Sequence, residues 1–418
     1  MTRLLAILLS LSFGLACGKS SSKETNLAAV TCAESARLVK ACEKSLTGAC
    51  TQAARCFFDG KGGHALDLNR SFGYAKRACE AGEADGCNLL GLHYQDGRGT
   101  PWSPADAKLA YAKSCDLGAG GGCYNLAGMY FGAHGIVFDD EQGRAFTLQA
   151  KAKWQAACES DEARWCTNLG FMHATAAQTD DEKRIAMRWH QRACDHKDLV
   201  GCVERGALQL KLGEVTPDAF AKEMTALCEQ KEPTACLTLG VRQILGGEGI
   251  AKDEARGIEL TERACELGSG HACAASGEEL VRKPGATPAD MDRGAGYYRQ
   301  ACDRGVSQGC TAIAKLEYQQ SDMASSVEYA TRACHMGDKD SCAIVASMYQ
   351  EGLPGVEANP AQALSFTREA CRMGDSSSCQ TMVLQDLDLP LAKPIQQQMY
   401  QDACNATVAS ACARLQAP

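Results

Sequence analysis

The sequence predicts an all-α solenoid of about ten helix–loop–helix repeats, and three observations lead to this fold class. Cysteines recur in pairs in which the second follows the first by eight residues. Successive pairs begin 32 to 43 residues apart, a period typical of stacked repeats. Small, aromatic and helix-capping residues also recur at fixed distances from these cysteines. Each repeat therefore corresponds to one helical hairpin that packs against its neighbours.

The cysteine pairs define the register of the repeat. Of the 25 cysteines among 418 residues, 22 form eleven such pairs, while Cys17, Cys32 and Cys56 lie outside the pattern. So high a density indicates either a metal-rich domain or a disulfide framework in an oxidising compartment. The eleven pairs are Cys42 and Cys50, Cys79 and Cys87, Cys115 and Cys123, Cys158 and Cys166, Cys194 and Cys202, Cys228 and Cys236, Cys265 and Cys273, Cys302 and Cys310, Cys334 and Cys342, Cys371 and Cys379, and Cys404 and Cys412.

The residues before the first cysteine of each pair predict a helix that ends near it. Alanine precedes this cysteine in nine of the eleven pairs, and offsets of four or five residues place an aromatic side chain on the same helical face. These aromatic residues are Tyr74, Tyr111, Trp154, Trp189, Tyr329 and Phe366. Three positions after the first cysteine, glycine suits a helix C terminus that needs positive φ, at Gly82, Gly118, Gly268, Gly305, Gly337 and Gly374.

A second helix is predicted to begin near the second cysteine. Four residues after it, a small residue that permits close helix approach recurs at Ala54, Gly91, Ala127, Gly170, Gly206, Gly240, Gly277, Ala314 and Ala346. The next helix opens with a capping residue before proline, at Ser103, Thr216, Thr287 and Asn359. Acidic clusters at 139–141 and 180–182 occupy the same place, and we interpret them as helix caps rather than calcium ligands.

The first 16 residues are typical of a secretory signal peptide. A basic start, "MTR", precedes an apolar stretch from Leu4 to Phe13 that is too short to span a membrane. The stretch ends in "GLACG", which resembles the lipobox of bacterial lipoproteins. This resemblance implies cleavage after Ala16 and lipidation of Cys17. By the same family's sorting pattern, Gly18 implies an outer-membrane lipoprotein that faces the periplasm or the exterior.

Three segments follow from these features. Residues 1–16 form the signal peptide, residues 17–28 a lipid-anchored polar tether, and residues 29–418 the repeat solenoid with capping helices. The rest of the sequence contains no apolar run long enough for a membrane-spanning helix.

The stretch "CNLLGLHYQDGRGTPWSPADAKLAYAKSCDLG" resembles the Sel-1-like repeat, a relative of the tetratricopeptide repeat. Its A-x-x-L-G-x-x-Y-x-x-G-x-G pattern carries the resemblance, and the paired cysteines are similar to those of the Helicobacter cysteine-rich proteins. The resemblance extends over roughly residues 29–415 and implies a right-handed α/α superhelix. It also implies a concave groove that binds an unidentified protein or peptide in the cell envelope.

In such a repeat the paired cysteines would close the turn between one hairpin and the next. Eight residues with a glycine turn can bring two Cα atoms to the ~5.5 Å that a disulfide requires. Once the eleven pairs and Cys17 are assigned, Cys32 and Cys56 are left, and we pair them. Metal binding is the alternative, but zinc ligands favour two to four intervening residues and heme attachment needs C-x-x-C-H. Neither pattern occurs, so we expect neither a metal nor a cofactor.

Catalysis is a second hypothesis that rests on resemblance alone. Some cysteine-rich relatives carry β-lactamase or penicillin-binding names, which implies a β-lactam- or peptidoglycan-fragment-binding protein or a weak β-lactamase. The one S-x-x-K motif, Ser20 to Lys23, lies in the tether, and no S-D-N, K-T-G or G-x-S-x-G motif occurs. We therefore predict no catalytic residue. A net charge of −8 argues against nucleic acid, and Trp102 and Trp165 are candidate exposed contacts.

Overall fold

A computed structural model describes residues 32, 35–44, 48–59, 66–131, 139–160, 163–385, 396–397, 400–401, 411 and 413–414. The signal peptide, the tether with Cys17 and Ser20, and the pair Cys404 and Cys412 lie outside the described residues. Among the described residues we find α-helices and no strand beyond two isolated bridges, Gly247 with Ile250 and Leu353 with Val356. No helix in this part of the chain is both long and apolar enough to cross a membrane.

Twenty helices follow one another in these residues. They are α1 (Ser35–Glu43), α2 (Ala49–Asp59), α3 (Leu68–Glu80), α4 (Ala84–Asp96), α5 (Pro104–Asp116), α6 (Gly120–Tyr130), α7 (Asp140–Glu159), α8 (Ala163–Ala176), α9 (Asp180–Asp195), α10 (Leu199–Lys211), α11 (Pro217–Glu229), α12 (Pro233–Leu245), α13 (Glu254–Glu266), α14 (Gly270–Arg282), α15 (Pro288–Asp303), α16 (Ser307–Gln319), α17 (Met323–His335), α18 (Lys339–Glu351), α19 (Pro360–Arg372) and α20 (Ser376–Leu384).

The helices form hairpins in the predicted register. Each even-numbered helix carries the second cysteine of a pair in its first turns, and we call it an A helix. Each odd-numbered helix from α3 onward carries the first cysteine of the next pair near its end, and we call it a B helix. The helix α1 precedes the first of these hairpins, and α20 is the A helix that follows the last of them. The predicted all-α solenoid of helical hairpins with disulfides at the repeat boundaries is confirmed.

The chain divides into two compact units. The first contains residues 1–67 and 150–304, and the second contains residues 68–149 and 305–418. Within the first unit the A helices α8, α10 and α12 contact one another in order, and within the second unit α4 contacts α6. These A helices therefore lie side by side, and α4, α8, α10 and α12 each pack against the B helix that follows in the chain.

The inter-repeat turns, from the first to the second cysteine of each pair, are closed by disulfides. Their Cα–Cα distances range from 4.3 to 4.9 Å. These bonds join Cys42–Cys50, Cys79–Cys87, Cys115–Cys123, Cys158–Cys166, Cys194–Cys202, Cys228–Cys236, Cys265–Cys273, Cys334–Cys342 and Cys371–Cys379. Cys302 and Cys310 are also disulfide-bonded, and Cys32 bonds Cys56 across a Cα–Cα distance of 5.3 Å.

Small residues on the A helices receive bulky side chains from the B helices. A Cβ added to Gly91 would lie 2.4 Å from the ring of Tyr111, and one added to Gly170 would lie 2.4 Å from the ring of His190. Each contact joins the residue four after the second cysteine to the residue four before the next first cysteine. The close helix approach inferred from the small residues is therefore present, and the bulky partner is fixed in register with it.

The predicted caps lie at the starts of the B helices. Ser103, Thr216, Thr287 and Asn359 each accept a hydrogen bond from the backbone amide three residues later, at 3.1 to 3.3 Å. The acidic clusters behave as helix starts too, although the details differ. Asp139 accepts from the amide of Gln142 at 3.0 Å, whereas Thr179, just before its cluster, forms a capping box with Glu182. Both arrangements satisfy amides that the first helical turn leaves free.

Two inter-repeat turns carry lysine where six others carry glycine. Lys197 and Lys231 both have φ of 66°, in the left-handed region, and both stand three residues after a first cysteine. A side chain makes this conformation unfavourable, while glycine adopts it freely. We expect Lys197→Gly to raise the free energy of unfolding by about 1 kcal/mol, as measured by urea denaturation. The reverse change, Gly82→Lys, should lower it by a similar amount, since nothing lies within 4 Å of that position. Equal stability of all three proteins would contradict the expected strain.

Candidate interaction surface

A strip of side chains on four A helices of the first unit, α8, α10, α12 and α14, is the candidate interaction surface. Its members stand two and six residues after the second cysteine, so each pair is four residues apart and shares a helical face. We call it the A-helix strip: Asn168, Met172, Glu204, Leu208, Thr238, Arg242, Ala275 and Glu279. All are half-buried except Thr238, which is buried. Half-buried side chains on four A helices, of which α8, α10 and α12 contact one another in order, offer a surface that a partner could bury further.

Charge is concentrated at the centre of this strip. Burial raises the pKa of the Glu204 carboxyl to about 7, against the opposing attraction of Arg242. The Arg242 guanidinium donates to Glu248 at 2.9 Å and to the carbonyl of Thr238 at 3.1 Å, which fixes its direction. Burial, followed by repulsion from Glu254 and Glu278, raises the pKa of Glu279 as well. The strip therefore presents hydrogen-bond donors and acceptors whose charge responds to a partner.

The same positions on four A helices of the second unit, α4, α6, α16 and α18, are mostly apolar. They are Leu89, His93, Asn125, Met129, Ala312, Leu316, Ile344 and Met348, whereas Thr381 and Gln385, the equivalent residues at α20, are exposed. Five of the eight side chains are buried, and the amide of Asn125 donates to Asn88 at 2.9 Å within the repeat array. On these four helices the positions therefore hold hairpins together, and the charged strip is a feature of the first unit.

Comparison with known proteins identifies the family. The Sel1 repeat matches residues 47–83, 84–118, 166–198, 233–269, 272–306 and 339–375, just over half of the chain. The chain belongs to the Sel1 repeat family. Repeats of this kind are protein–protein interaction scaffolds, and the resemblance expected from the sequence is confirmed.

Individual relatives share less with this Sel1 repeat protein. Cytochrome c oxidase assembly factor 7 of Xenopus tropicalis is 27% identical over 173 residues, which cover 40% of this chain and 70% of the relative. Among solved structures, the antigen c5321 of uropathogenic Escherichia coli is 18% identical, with a TM-score of 0.41 and coverage of 88% and 85%. A Sel1 repeat protein from Oxalobacter formigenes is 16% identical, with a TM-score of 0.37 and coverage of 60% and 96%.

A serine–histidine contact inside the Sel1 array has the spacing of a nucleophile and its base. The Ser71 hydroxyl lies 2.8 Å from Nε2 of His93, whose Nδ1 lies 2.5 Å from the carbonyl oxygen of Arg98. Both side chains have zero exposure, however, and burial lowers the His93 pKa to about 4. A substrate cannot reach this pair, so it joins α3 to the end of α4. Ser20 and Lys23 lie outside the described residues.

The two tryptophans considered as exposed contacts pack within the Sel1 repeats instead. Trp165 is only 7% exposed and stacks on Trp154 at 6.4 Å, with the Arg164 guanidinium 4.1 Å from its ring. Trp102 is half-buried and stacks flat on His335 at 4.5 Å. The hypothesis of an exposed contact is therefore wrong for Trp165, and one face of Trp102 is covered by its own chain. The described residues contain no cluster of three His, Cys, Asp or Glu side chains able to hold a metal.

The repeat pattern does not predict the A-helix strip, because the pattern contains only what the hairpins have in common. Glu204, Arg242 and Glu279 are departures from the repeat pattern, and a comparison of the repeats position by position would have found them. The pKa of Glu204 could not be found in this way, because it depends on the neighbouring helix.

Proposed function

We propose that this Sel1 repeat protein is a lipid-anchored scaffold that binds a protein or peptide in the cell envelope through the A-helix strip. The observation that carries the proposal is the half-buried acid Glu204 beside the fixed cation Arg242 on the next A helix. Such a pair can accept from and donate to the backbone of an extended peptide. The name of the curated relative, an assembly factor, favours protein binding over catalysis as the class of function.

A basic or amide-rich peptide segment is the partner that this chemistry favours. Bringing a cation to Glu204 would lower the pKa of its carboxyl and add a charge-assisted hydrogen bond in a partly desolvated place. The Arg242 guanidinium would donate a hydrogen bond to a carbonyl or carboxylate oxygen of the same segment. Binding of one extended chain across α10 and α12 uses both groups together.

Photocrosslinking from the strip tests this function. A photoreactive amino acid in place of Leu208, which lies within the strip, should crosslink a discrete partner in envelope extracts. The same amino acid in place of Leu148, which is 67% exposed on the B helix α7, should not. Glu204→Gln with Arg242→Gln should reduce the yield at least about tenfold, as expected when two interface hot spots are lost. Arg256→Gln, which breaks the exposed pair with Glu259 on the B helix α13, is the matched control. Equal yields from all variants would overturn the proposed surface.

Attachment through Cys17 is the second part of the proposal, supported by the lipobox-like "GLACG" and the polar tether behind it. Acyl chains contribute about 0.8 kcal/mol for each buried CH₂, so two or more chains give stable anchoring. Cys17→Ser should abolish incorporation of labelled fatty acid and leave an unprocessed protein in the membrane fraction. A chain that begins at Lys19 behind an ordinary secretory signal should be recovered in the soluble fraction. Fatty-acid labelling of the Cys17→Ser protein would contradict this attachment.

A further inference from the structure

One arginine occupies a position that is otherwise buried and without charge. Among the described residues, nine repeats have a buried residue without charge three positions after the second cysteine: Ala53, Leu90, Leu126, Leu169, Leu239, Ser276, Ile313, Val345 and Met382. The tenth has Arg205, whose side chain is 16% exposed. Its guanidinium lies 3.6 Å from the sulfur of Cys194 and also contacts Glu223 and Gln191. A cation therefore faces the disulfide Cys194–Cys202 from within the repeat.

Cys194–Cys202 is also the most accessible disulfide among the described inter-repeat turns. Of the 22 cysteines that the structure describes, twenty are buried, and only Cys32 and Cys194 are half-buried. The turn beyond Cys194 is open, since Asp195, His196 and Lys197 are all exposed. A thiol in solution can thus approach Cys194 from the side of the turn. The partner sulfur, Cys202, is 7% exposed and lies in the first turns of α10.

We propose that Cys194–Cys202 is a thiol–disulfide exchange site that reacts with an anionic thiol. The attacking thiolate forms a bond to the sulfur of Cys194, the Cys194–Cys202 bond breaks, and Cys202 leaves as a thiolate. The α10 N terminus stabilises that leaving thiolate through its dipole and then a solvent proton neutralises it. With a dithiol, its second thiolate attacks the mixed disulfide and releases Cys194. Two electrons pass to the cysteine pair and the dithiol becomes a disulfide.

Arg205 has a defined part in both steps. Negative charge spreads over three sulfurs during exchange, and the guanidinium beside Cys194 stabilises it. The same cation attracts the thiolate before the reaction and stabilises the Cys194 thiolate after release. Glu223 opposes this effect because its carboxylate pairs with the Arg205 guanidinium. Asp195 also adds a negative charge, although the amide of Gln191 donates to it at 2.6 Å.

A second disulfide provides a natural comparison. Arg304 lies 2.6 Å from the sulfur of Cys273 and 3.6 Å from that of Cys265, so this bond also faces a guanidinium. Cys265 and Cys273 are only 1% and 0% exposed, however. A guanidinium beside a disulfide that solvent cannot reach should not support exchange, because the attacking thiolate must reach the S–S bond. The two turns thus separate the effect of charge from that of access.

Native exchange with reduced glutathione, a tripeptide thiol, tests the site. The folded protein is incubated with glutathione at pH 7.5, quenched with N-ethylmaleimide, and mapped by peptide mass spectrometry. Glutathione should appear on Cys194 and maleimide on Cys202 before any other cysteine is modified. Modification of Cys265 or Cys273 at the same rate, or equal modification of all turns, would overturn the site.

Variants at Arg205 test the role of the cation. Arg205→Leu introduces the residue that four other described repeats have at this position, so the variant should fold, and it should exchange about fivefold more slowly. Arg205→Lys should retain most of the rate, Glu223→Gln should increase it, and Arg304→Gln should leave the order of modification unchanged. Equal rates for the wild type and Arg205→Leu, with unchanged melting temperatures, would overturn the part assigned to Arg205.

A dithiol protein of the thioredoxin type, used in place of glutathione, should reduce the same bond without a lasting mixed disulfide. Its failure to select this bond would restrict the site to small thiols and overturn the dithiol step.

Discussion

Complete reduction of the disulfides should lower the melting temperature by about 20 °C or more. In the chain-entropy model each inter-repeat turn, closed over eight residues, contributes about 2.5 kcal/mol. The contributions do not simply add, because neighbouring cross-links restrict the same unfolded chain. Even three independent contributions would still approach the whole stability of an ordinary domain. Circular dichroism at 222 nm during thermal unfolding, with and without a reductant, measures the change.

A single turn provides the matched measurement. Cys265→Ala with Cys273→Ala removes one buried bond and should lower the melting temperature by about 5–10 °C. The removed bond lies between α13 and α14, so amide exchange should increase mainly in these helices and their neighbours. Re-oxidation of the reduced wild type should restore its original melting curve. A reduced protein that melts within a few degrees of the oxidised one would show that helix packing alone holds the array.

The hairpins could be predicted because their determinants are local. The small residues Gly91 and Gly170 and the caps Ser103 and Thr287 each act within one hairpin. Such signals recur with the period of 32 to 43 residues. Several local signals of this kind agree with one another in most repeats, and such agreement is what specifies a fold. Within the described residues the structure bears out the succession of helical hairpins.

It was less predictable which aromatic residues of the B helices are buried and which are half-buried. The sequence pattern places the aromatic residues four and five positions before the first cysteine, Trp189 among them, on one helical face. In the structure the buried position is the one at offset four, where Tyr111 and Trp154 are enclosed, while Trp189 is half-buried. At offset four in that hairpin stands His190, which is fully buried. The residue type does not predict whether a histidine is buried, so only its position in the repeat indicates the burial of His190.

Contacts between distant segments could not be predicted at all. Trp102 stacks on His335 within the second unit, although the two residues are far apart in the sequence. The period of the repeat predicts contacts between neighbours only. The raised pKa of Glu204 in the A-helix strip could not be predicted from the sequence either, because it arises from burial among adjacent helices.

Acidification should destabilise the protein through its buried histidines. His190 has zero exposure and neither ring nitrogen has a hydrogen-bond partner among the described residues, and burial lowers its pKa from 6.5 to about 3. Between these two values the unfolded chain binds a proton that the folded chain does not, so stability is lost as the pH falls below 6.5. His190 alone should cost about 4 kcal/mol by pH 3. His93, whose burial lowers its pKa to about 4, acts with the same sign.

Glu204 acts with the opposite sign over part of this range. Its folded pKa of about 7 exceeds the ordinary value of 4.5, so the folded chain binds the extra proton and gains stability as the pH falls from 7 to 4.5. This gain offsets about one of the two histidine contributions above pH 4.5. The steepest loss of stability should therefore occur below pH 4.5, where only the histidine contributions remain among these three groups.

His190→Phe isolates the contribution of one ring. Tyr111 and Trp154 occupy the same register position in other hairpins, so an aromatic ring can fill this place above Gly170. The variant should lack the His190 contribution, and its advantage over the wild type should grow as the pH falls from 6.5 to 3. Urea denaturation at each pH measures the difference. Trp154→Phe, a change at the matching position without a titrating group, should shift stability by the same amount at every pH. A constant difference between His190→Phe and the wild type would show that His190 becomes protonated without opening the fold.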